Sequence, residues 1–118
     1  MKKKRVNFFQ CDIINNKIKK YDLVFCRDCF VHLSHDDVKK SIDNIIKSKS
    51  NFLLTTTFPE NDFNERIITG MWRPLNLMQA PFFFPEPTEM FVESKDMLKR
   101  KERNKYLGLW DIRKLRDS

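Results

Sequence analysis

The chain has 118 residues, of which 41% are hydrophobic and 33% are charged, and its net charge is +7. This length and apolar fraction provide for one folded domain and exclude a disordered segment. The two glycines, Gly70 and Gly108, stand far apart, which excludes the glycine-rich loop of a self-contained P-loop enzyme or Rossmann dehydrogenase.

Charge and hydropathy also bear on location and partners. No stretch approaches the roughly 20 apolar residues that span a bilayer, and no apolar core follows the basic residues 2–5. We therefore expect a cytoplasmic protein without membrane contact, whose three cysteines are reduced. Both ends of the chain are basic and the middle is acidic. Because the lysines are scattered among isoleucines and asparagines, direct nucleic-acid binding is disfavoured.

The first half of the chain contains three predicted strands and one predicted helix. An aromatic and β-branched run predicts a strand over residues 6–10. Residues 21–26 form a nearly continuous apolar run, which is typical of a strand in a parallel sheet with both faces covered. Ser34 and Asp37 form a capping box that begins a helix over residues 36–48. A strand over 51–58 stops at Pro59, and strand, helix and strand in this order predict a right-handed βαβ unit.

The second half is less regular. All five prolines lie within residues 59–87, together with Trp72 and several phenylalanines. Residues 58–88 are therefore predicted to be a cover segment, too interrupted for regular structure and too aromatic for a linker, that folds over another part of the domain. A further strand is predicted over 89–93, a charged hinge or hairpin tip over 94–105, and a final strand over 106–115.

Two cysteines and two histidines, Cys26, Cys29, His32 and His35, follow one another at intervals of three residues. Zinc fingers place about a dozen residues between the cysteine pair and the histidine pair, so this spacing is too tight for a metal site. A thioredoxin-like redox pair opens a helix after a strand and would not enclose Arg27 and Asp28, so that interpretation is also rejected. The sequence predicts packed, reduced cysteines and no metal.

Three groups of polar residues are candidates for chemistry. Asp12 and Asp28 each follow a predicted strand, where ligands bind in open α/β sheets. The structural alternatives are a turn-starting residue for Asp12 and a surface pair with Arg27 for Asp28. The run from Trp72 to Asn76 is either a recognition surface built on tryptophan and arginine or a cover loop whose tryptophan fills the core.

The sequence resembles class I S-adenosylmethionine-dependent methyltransferases in several segments. They are FFQCDI at 8–13, YDLVFCRDCFVHLS at 21–34, LTTTF at 54–58, TGMWRPLNL at 69–77, PF at 81–82 and LGLW at 107–110. The sheet of that family has the strand order 3-2-1-4-5-7-6. The resemblance implies a partial Rossmann-like α/β sheet with the equivalents of strands 3–7, in a single domain over 1–118 that lacks the first βαβ unit.

The missing unit implies two bare sheet edges. Such an edge is covered when the chain pairs its own strands, dimerises, or binds a separate N-terminal half. We expect residues 6–10 to fold back on the strand at 21–26 as a hairpin, because closing a short loop costs less entropy than recruiting another molecule.

The resemblance also implies a reaction and a set of roles. The reaction is methyl transfer from S-adenosylmethionine to an unidentified acceptor, with the chain alone inactive. The implied cofactor residues are Asp12 and Ile13 at the adenine and the main chain of Cys26 and Arg27 at the methionine amine. The implied catalytic residues are Asp28 and His32, and the substrate residues are Trp72, Arg73 and Asn76. The alternatives are a degenerate interaction module and a basic nucleic-acid-binding fragment.

Overall fold

A computed structural model describes residues 13–115 as a small mixed α/β domain. The predicted first strand, its expected hairpin and the candidate Asp12 lie outside the described residues. The regular elements are β1 (Leu23–Cys26), α1 (His35–Lys47), β2 (Phe52–Thr57), β3 (Glu89–Ser94), β4 (Lys105–Asp111) and α2 (Ile112–Leu115), with 3₁₀ turns at Phe30–His32 and Lys101–Arg103. Within these residues, no helix is both long and apolar enough to cross a bilayer.

The four strands form one sheet in the order β1-β2-β4-β3. β1 and β2 are parallel, with Leu23 beside Phe52. β4 runs antiparallel to both of its neighbours, so Leu109 lies beside Leu54 of β2 and beside Glu89 of β3. The last strand in the chain is therefore inserted between β2 and β3.

The crossover helix α1 confirms the prediction to within one residue at each end. Ser34 is its N-cap, and the Ser34 side chain accepts a hydrogen bond from the Asp37 amide at 3.2 Å. The other half of the predicted capping box is bridged by Thr69, whose hydroxyl donates to Asp37 and accepts from the Ser34 amide. The cover segment is thus bonded to the start of α1.

The core lies between one face of the sheet and α1. Leu53 and Trp110 on the strands and Val38 and Ile45 on the helix are all at most 1% exposed. The apolar spacing of α1 buries these positions because residues three, four and seven apart share a helix face.

In the cover segment, asparagine side chains form the hydrogen bonds to the main chain that a regular helix or strand would otherwise form. Asn76 donates to the carbonyls of Pro59 and Asn61, and its own main-chain amide donates to the Asn64 side chain. Asn64 in turn donates to the carbonyls of Asn76 and Ala80. These side-chain hydrogen bonds pair buried main-chain groups that have no partner in a β-sheet or helix.

Two strand predictions need correction. The predicted strand at 21–26 begins at Leu23, and the side chains of Leu23 and Phe25 are 46% and 54% exposed, so its two faces are not both covered. The final strand ends at Asp111, because the Asp111 carboxylate accepts a hydrogen bond from the Arg113 amide and so caps the turn α2. The hairpin tip between β3 and β4 is confirmed.

The sheet face opposite α1, called here the open sheet face, is apolar and exposed. Phe52 and Phe91 are 36% and 48% exposed on it, beside the exposed Leu23 and Phe25 of β1. The strand register places Leu54, Leu107 and Leu109 on this same face between them. No described element packs on this face, although sheets with parallel strands are ordinarily covered on both sides.

Candidate functional site

The candidate site is at the end of the sheet where β1 and β2 finish. Asp28 follows β1 and has a left-handed backbone, with φ of +53°. Two contacts hold it there: its amide donates to the Thr56 hydroxyl at 2.7 Å, and its carboxylate accepts from Lys105 Nζ at 2.8 Å. The Asp28 side chain is 40% exposed, so a fixed, solvent-accessible carboxylate marks this end of the sheet.

Arg27 extends the charge cluster toward the far edge of the sheet. Its guanidinium forms an ion pair with Glu93 of β3, and it lies 3.9 Å from the Asp28 carboxylate. Lys105 at the start of β4 completes the group. Two cations and two carboxylates therefore join the ends of β1, β3 and β4, and their charges balance. The predicted surface pair of Arg27 with Asp28 is the weaker of the contacts that each residue makes.

His32 lies on the loop after β1, beside the part of the cover segment around Met71. Its Nδ1 is 3.0 Å from the Met71 carbonyl. Because a carbonyl only accepts, Nδ1 carries the proton in the neutral ring and Nε2 is its acceptor atom. The Gly70 amide donates to the His32 carbonyl at 2.8 Å, so the main chains of these two loops also run side by side. The exposed His32 ring is therefore oriented and can accept a proton at Nε2.

Trp72 lies at the same end of the sheet and is 41% exposed. One side of its ring packs edge-to-face on Phe58, with centroids 6.0 Å apart. The guanidinium carbon of Arg103 lies 5.6 Å from the ring centroid, within the range of a cation–π interaction. Trp72 is thus a partly open aromatic surface.

Arg73 is buried, which differs from the predicted role in substrate contact. It is 1% exposed, and its Nη1 donates to the carbonyls of Phe30 and Val31 at 3.0 and 3.1 Å. Its Nε donates to the Glu65 carbonyl at 3.1 Å. Burial lowers the pKa of Arg73 to about 10, against the opposing charge of Glu65. Arg73 therefore fastens the cover segment to the loop after β1.

Asn76 is also interior, at 2% exposure, within the asparagine network described above. Of the three predicted substrate residues, Trp72 alone presents its side chain to the surface. Polar residue types and their spacing carry no signal that separates a ligand contact from a buried main-chain contact, so the burial of Arg73 and Asn76 is not visible in the sequence.

Among the candidate cofactor residues that the structure describes, Ile13 lies apart from Cys26 and Arg27. Cys26 is 7% exposed and ends β1 beside Arg27. Ile13 is instead held on the flank of α1, where Asn44 Nδ2 donates to its carbonyl at 2.9 Å. Asn44 lies nine residues beyond the start of α1, or about 13 Å along the axis. Since α1 runs back along β1, Ile13 lies away from the carboxyl end of that strand.

The histidines and cysteines that share a spacing of three do not share a site. His35 is buried, its Nε2 bonds the Glu65 carbonyl at 3.2 Å, and its ring packs edge-on against Phe82. Burial lowers the pKa of His35, and the nearby Arg73 charge lowers it further. Across residues 13–115, no three histidine, cysteine or acidic side chains are grouped closely enough to hold a metal ion.

A shallow depression of about 500 Å³ lies next to the loop pair of His32 and Met71. Its lining is mixed, since it includes Arg66 and Asp36 together with Ile68 and Met71. Lys105, Glu93 and this depression were not foreseen from the sequence. Lys105 and Glu93 stand at strand ends, but their convergence depends on the inserted position of β4.

No protein-family model matches the chain, and no curated protein matches it significantly.

Proposed function

We propose that the chain is the C-terminal part of an S-adenosylmethionine-dependent methyltransferase that acts on an unidentified acceptor, with a partial Rossmann-like sheet. One observation carries the proposal. The described strand order β1-β2-β4-β3, with β4 antiparallel to β2, equals the order 4-5-7-6 at one end of the family sheet. An inserted antiparallel last strand is a specific feature, because sequential strands usually neighbour one another.

The chemistry of the site is compatible with this reaction. When bound, S-adenosylmethionine supplies an electrophilic methyl group on a positively charged sulfur. The protein then contributes mainly positioning and electrostatics. His32 Nε2 can take the proton that the acceptor loses, and the Asp28 carboxylate, held by Lys105, is a partly exposed hydrogen-bond acceptor on the same loop after β1. Trp72 and the depression beside Met71 offer a surface for the acceptor.

The described residues are better suited to contact the methyl acceptor than to hold S-adenosylmethionine. The main chain of Cys26 and Arg27 is at the expected strand end, but the chain has no glycine-rich turn for the methionine part. We therefore expect the isolated chain to bind S-adenosylmethionine very weakly or not at all.

The test is to add the absent unit. The first βαβ unit of a class I methyltransferase, with its glycine-rich turn, is joined ahead of Met1, and S-adenosylmethionine binding is measured by calorimetry. The control chimera carries bulky residues in place of the added glycines. We expect micromolar affinity for the first chimera and none for the control.

Two results would overturn the proposal. One is a chimera that melts cooperatively but binds no cofactor. The other is a chimera that does not fold although the chain alone does, because the proposal requires the outer edge of β1 to accept a strand.

A second candidate function is a non-catalytic interaction module that binds a partner through the outer edge of β1 and the open sheet face. The exposure of Phe25 and Phe91 favours it, because exposed apolar patches on a protein surface commonly mark sites of protein–protein interaction. Sedimentation velocity over a wide concentration range tests self-association, with Phe25→Lys as the control variant. Association of the original chain that the variant lacks would support this candidate, and a monomer at every concentration would remove self-association as its basis.

A further inference from the structure

The connection between β3 and β4 presents two adjacent apolar side chains to solvent. Met97 is 95% exposed, which is more than any other large apolar residue that the structure describes, and its neighbour Leu98 is 72% exposed. Residues 95–104, called here the basic tip, contain five basic residues and two acidic ones. The basic tip therefore combines a small apolar group with an excess of positive charge.

Hydrogen bonds of Asp96 fix the shape of the basic tip. One oxygen of its carboxylate accepts from the main-chain amides of Leu98 and Arg100, at 3.1 and 3.0 Å. The Arg100 guanidinium donates to both carboxylate oxygens, and the Asp96 amide donates to the Asn104 side chain at 2.8 Å. Met97 and Leu98 are thus held at the turn of a closed loop, outside the core.

The positive charges of the basic tip are only partly used within the domain. Arg100 pairs with Asp96, and Arg103 lies over the ring of Trp72. The other three cations of the tip are exposed: Lys95, Lys99 and Lys101. Within residues 13–115, no ion pair includes any of these three lysines. They are available to an external anion on the same loop as the apolar pair.

We propose that the basic tip binds the surface of a membrane that contains anionic lipids. Met97 and Leu98 enter the headgroup layer, and the three lysines contact the anionic headgroups. The proposal is independent of the methyltransferase reaction. It departs from the expectation of no membrane contact, which concerned a spanning segment and an export signal. Peripheral binding needs neither of them.

A lipid surface matches this tip better than other anionic partners do. Single-stranded nucleic acids offer phosphates to lysines, but their bases stack on aromatic side chains, and residues 95–104 contain none. An acidic protein would need a pocket shaped for the protruding apolar pair. A lipid interface provides negative charge directly above hydrocarbon, and lysine side chains are long enough to reach the headgroups while the apolar pair lies deeper.

The test is cosedimentation of the full chain with lipid vesicles at physiological ionic strength. One set of vesicles is phosphatidylcholine alone, and the other is phosphatidylcholine and phosphatidylserine in equal parts. We expect the chain to bind the second set and not the first, because the lysines require an anionic surface.

Two variants of the basic tip separate the apolar and the charged contributions. Met97→Ser combined with Leu98→Ser keeps every charge and should lower the partition coefficient at least about tenfold, because two apolar side chains no longer leave water. Glutamine in place of all three lysines keeps the apolar pair. It should lower the partition coefficient on the order of 100-fold, because each cation near an anionic surface strengthens binding about fivefold.

Matched controls remove the same groups from other surfaces. Phe63→Ser combined with Ile68→Ser removes two exposed apolar side chains from the cover segment. Glutamine substitutions on α1 remove three exposed charges, at Lys39, Lys40 and Lys47. Both controls should bind the anionic vesicles as the original chain does. All four variants should melt as the original chain does, because exposed substitutions rarely alter stability.

Three results would overturn the proposal. The first is a chain that binds anionic vesicles no better than neutral ones. The second is a pair of tip variants that bind the vesicles as well as their matched controls do, since binding would then not depend on the tip. The third is a chain that binds single-stranded RNA through the three lysines and leaves the vesicles unbound, since the partner would then be a nucleic acid.

Discussion

Replacement of Arg73 by methionine separates a structural role from a substrate role. The substitution keeps the length of an unbranched side chain and removes three N–H donors, to the carbonyls of Phe30, Val31 and Glu65. Each hydrogen bond from a charged donor is worth about 1.5–3 kcal/mol, and a carbonyl left without a partner costs about 1–3 kcal/mol. The variant no longer buries a charge, which offsets part of this loss.

We expect Arg73→Met to lower the free energy of unfolding by about 3 kcal/mol, within the range for breaking a buried charged network. For a domain of about 100 residues, this corresponds to a fall in Tm of roughly 12–20 °C. Thermal unfolding followed by circular dichroism measures the change.

Two controls accompany this measurement. Arg66→Met makes the same substitution at an exposed position of the same segment and should change stability by less than about 0.5 kcal/mol. Arg73→Lys keeps the charge without the planar fork of donors and should recover only part of the loss. If the free energy of unfolding of Arg73→Met is within about 1 kcal/mol of that of the original chain, Arg73 does not fasten the cover segment as proposed.

Three further predictions concern the core and the site. A Cβ at Gly108 would come within 2.5 Å of Trp110 Cη2, so Gly108→Ala should lower the free energy of unfolding by about 2 kcal/mol. A double-mutant cycle with Trp110→Leu should show strong coupling, and additive effects of the two substitutions would contradict the clash. Since the folded pKa of His35 is below its unfolded value, the unfolded chain binds more protons between those values, and stability should fall as the pH drops through about 6.5. Urea titrations at several pH values should find this slope reduced in His35→Asn, and an equal slope would remove His35 as its source. Asp28→Asn should change stability by under about 1 kcal/mol, because its partner Lys105 is a partly exposed ion, whereas Asp28→Ala should lose about 1–2 kcal/mol more because alanine tolerates the left-handed backbone poorly; equal melting of the two variants would contradict this reasoning.

Local signals predicted the regular elements well. Ser34 and the apolar positions of α1 define that helix in the sequence. Pro59 marks the end of β2, because proline has no main-chain N–H to donate to a neighbouring strand. The end of β4 was missed because residues 112–115 read equally as a strand, and the outcome depends on capping by Asp111.

The site was predicted only in part. Asp28 and His32 have positions that follow from strand order, because both lie just after β1 at the carboxyl end of a parallel strand, whereas the position of Trp72 depends on the path of the cover segment. Arg73 and Asn76 could not be assigned from the sequence, since their burial results from the path of an irregular segment. The pairing of Arg27 with Glu93 likewise depends on contacts across the whole sheet.

The most direct test of the central proposal is to locate the cofactor product on this chain. In the chimera with the added βαβ unit, S-adenosylhomocysteine is titrated against ¹⁵N-labelled protein and the amide shifts are assigned. The proposal predicts that the amides of Cys26, Arg27 and Asp28 shift together with those of the added glycine-rich turn. Shifts confined to the added unit, with the end of β1 unchanged, would contradict it.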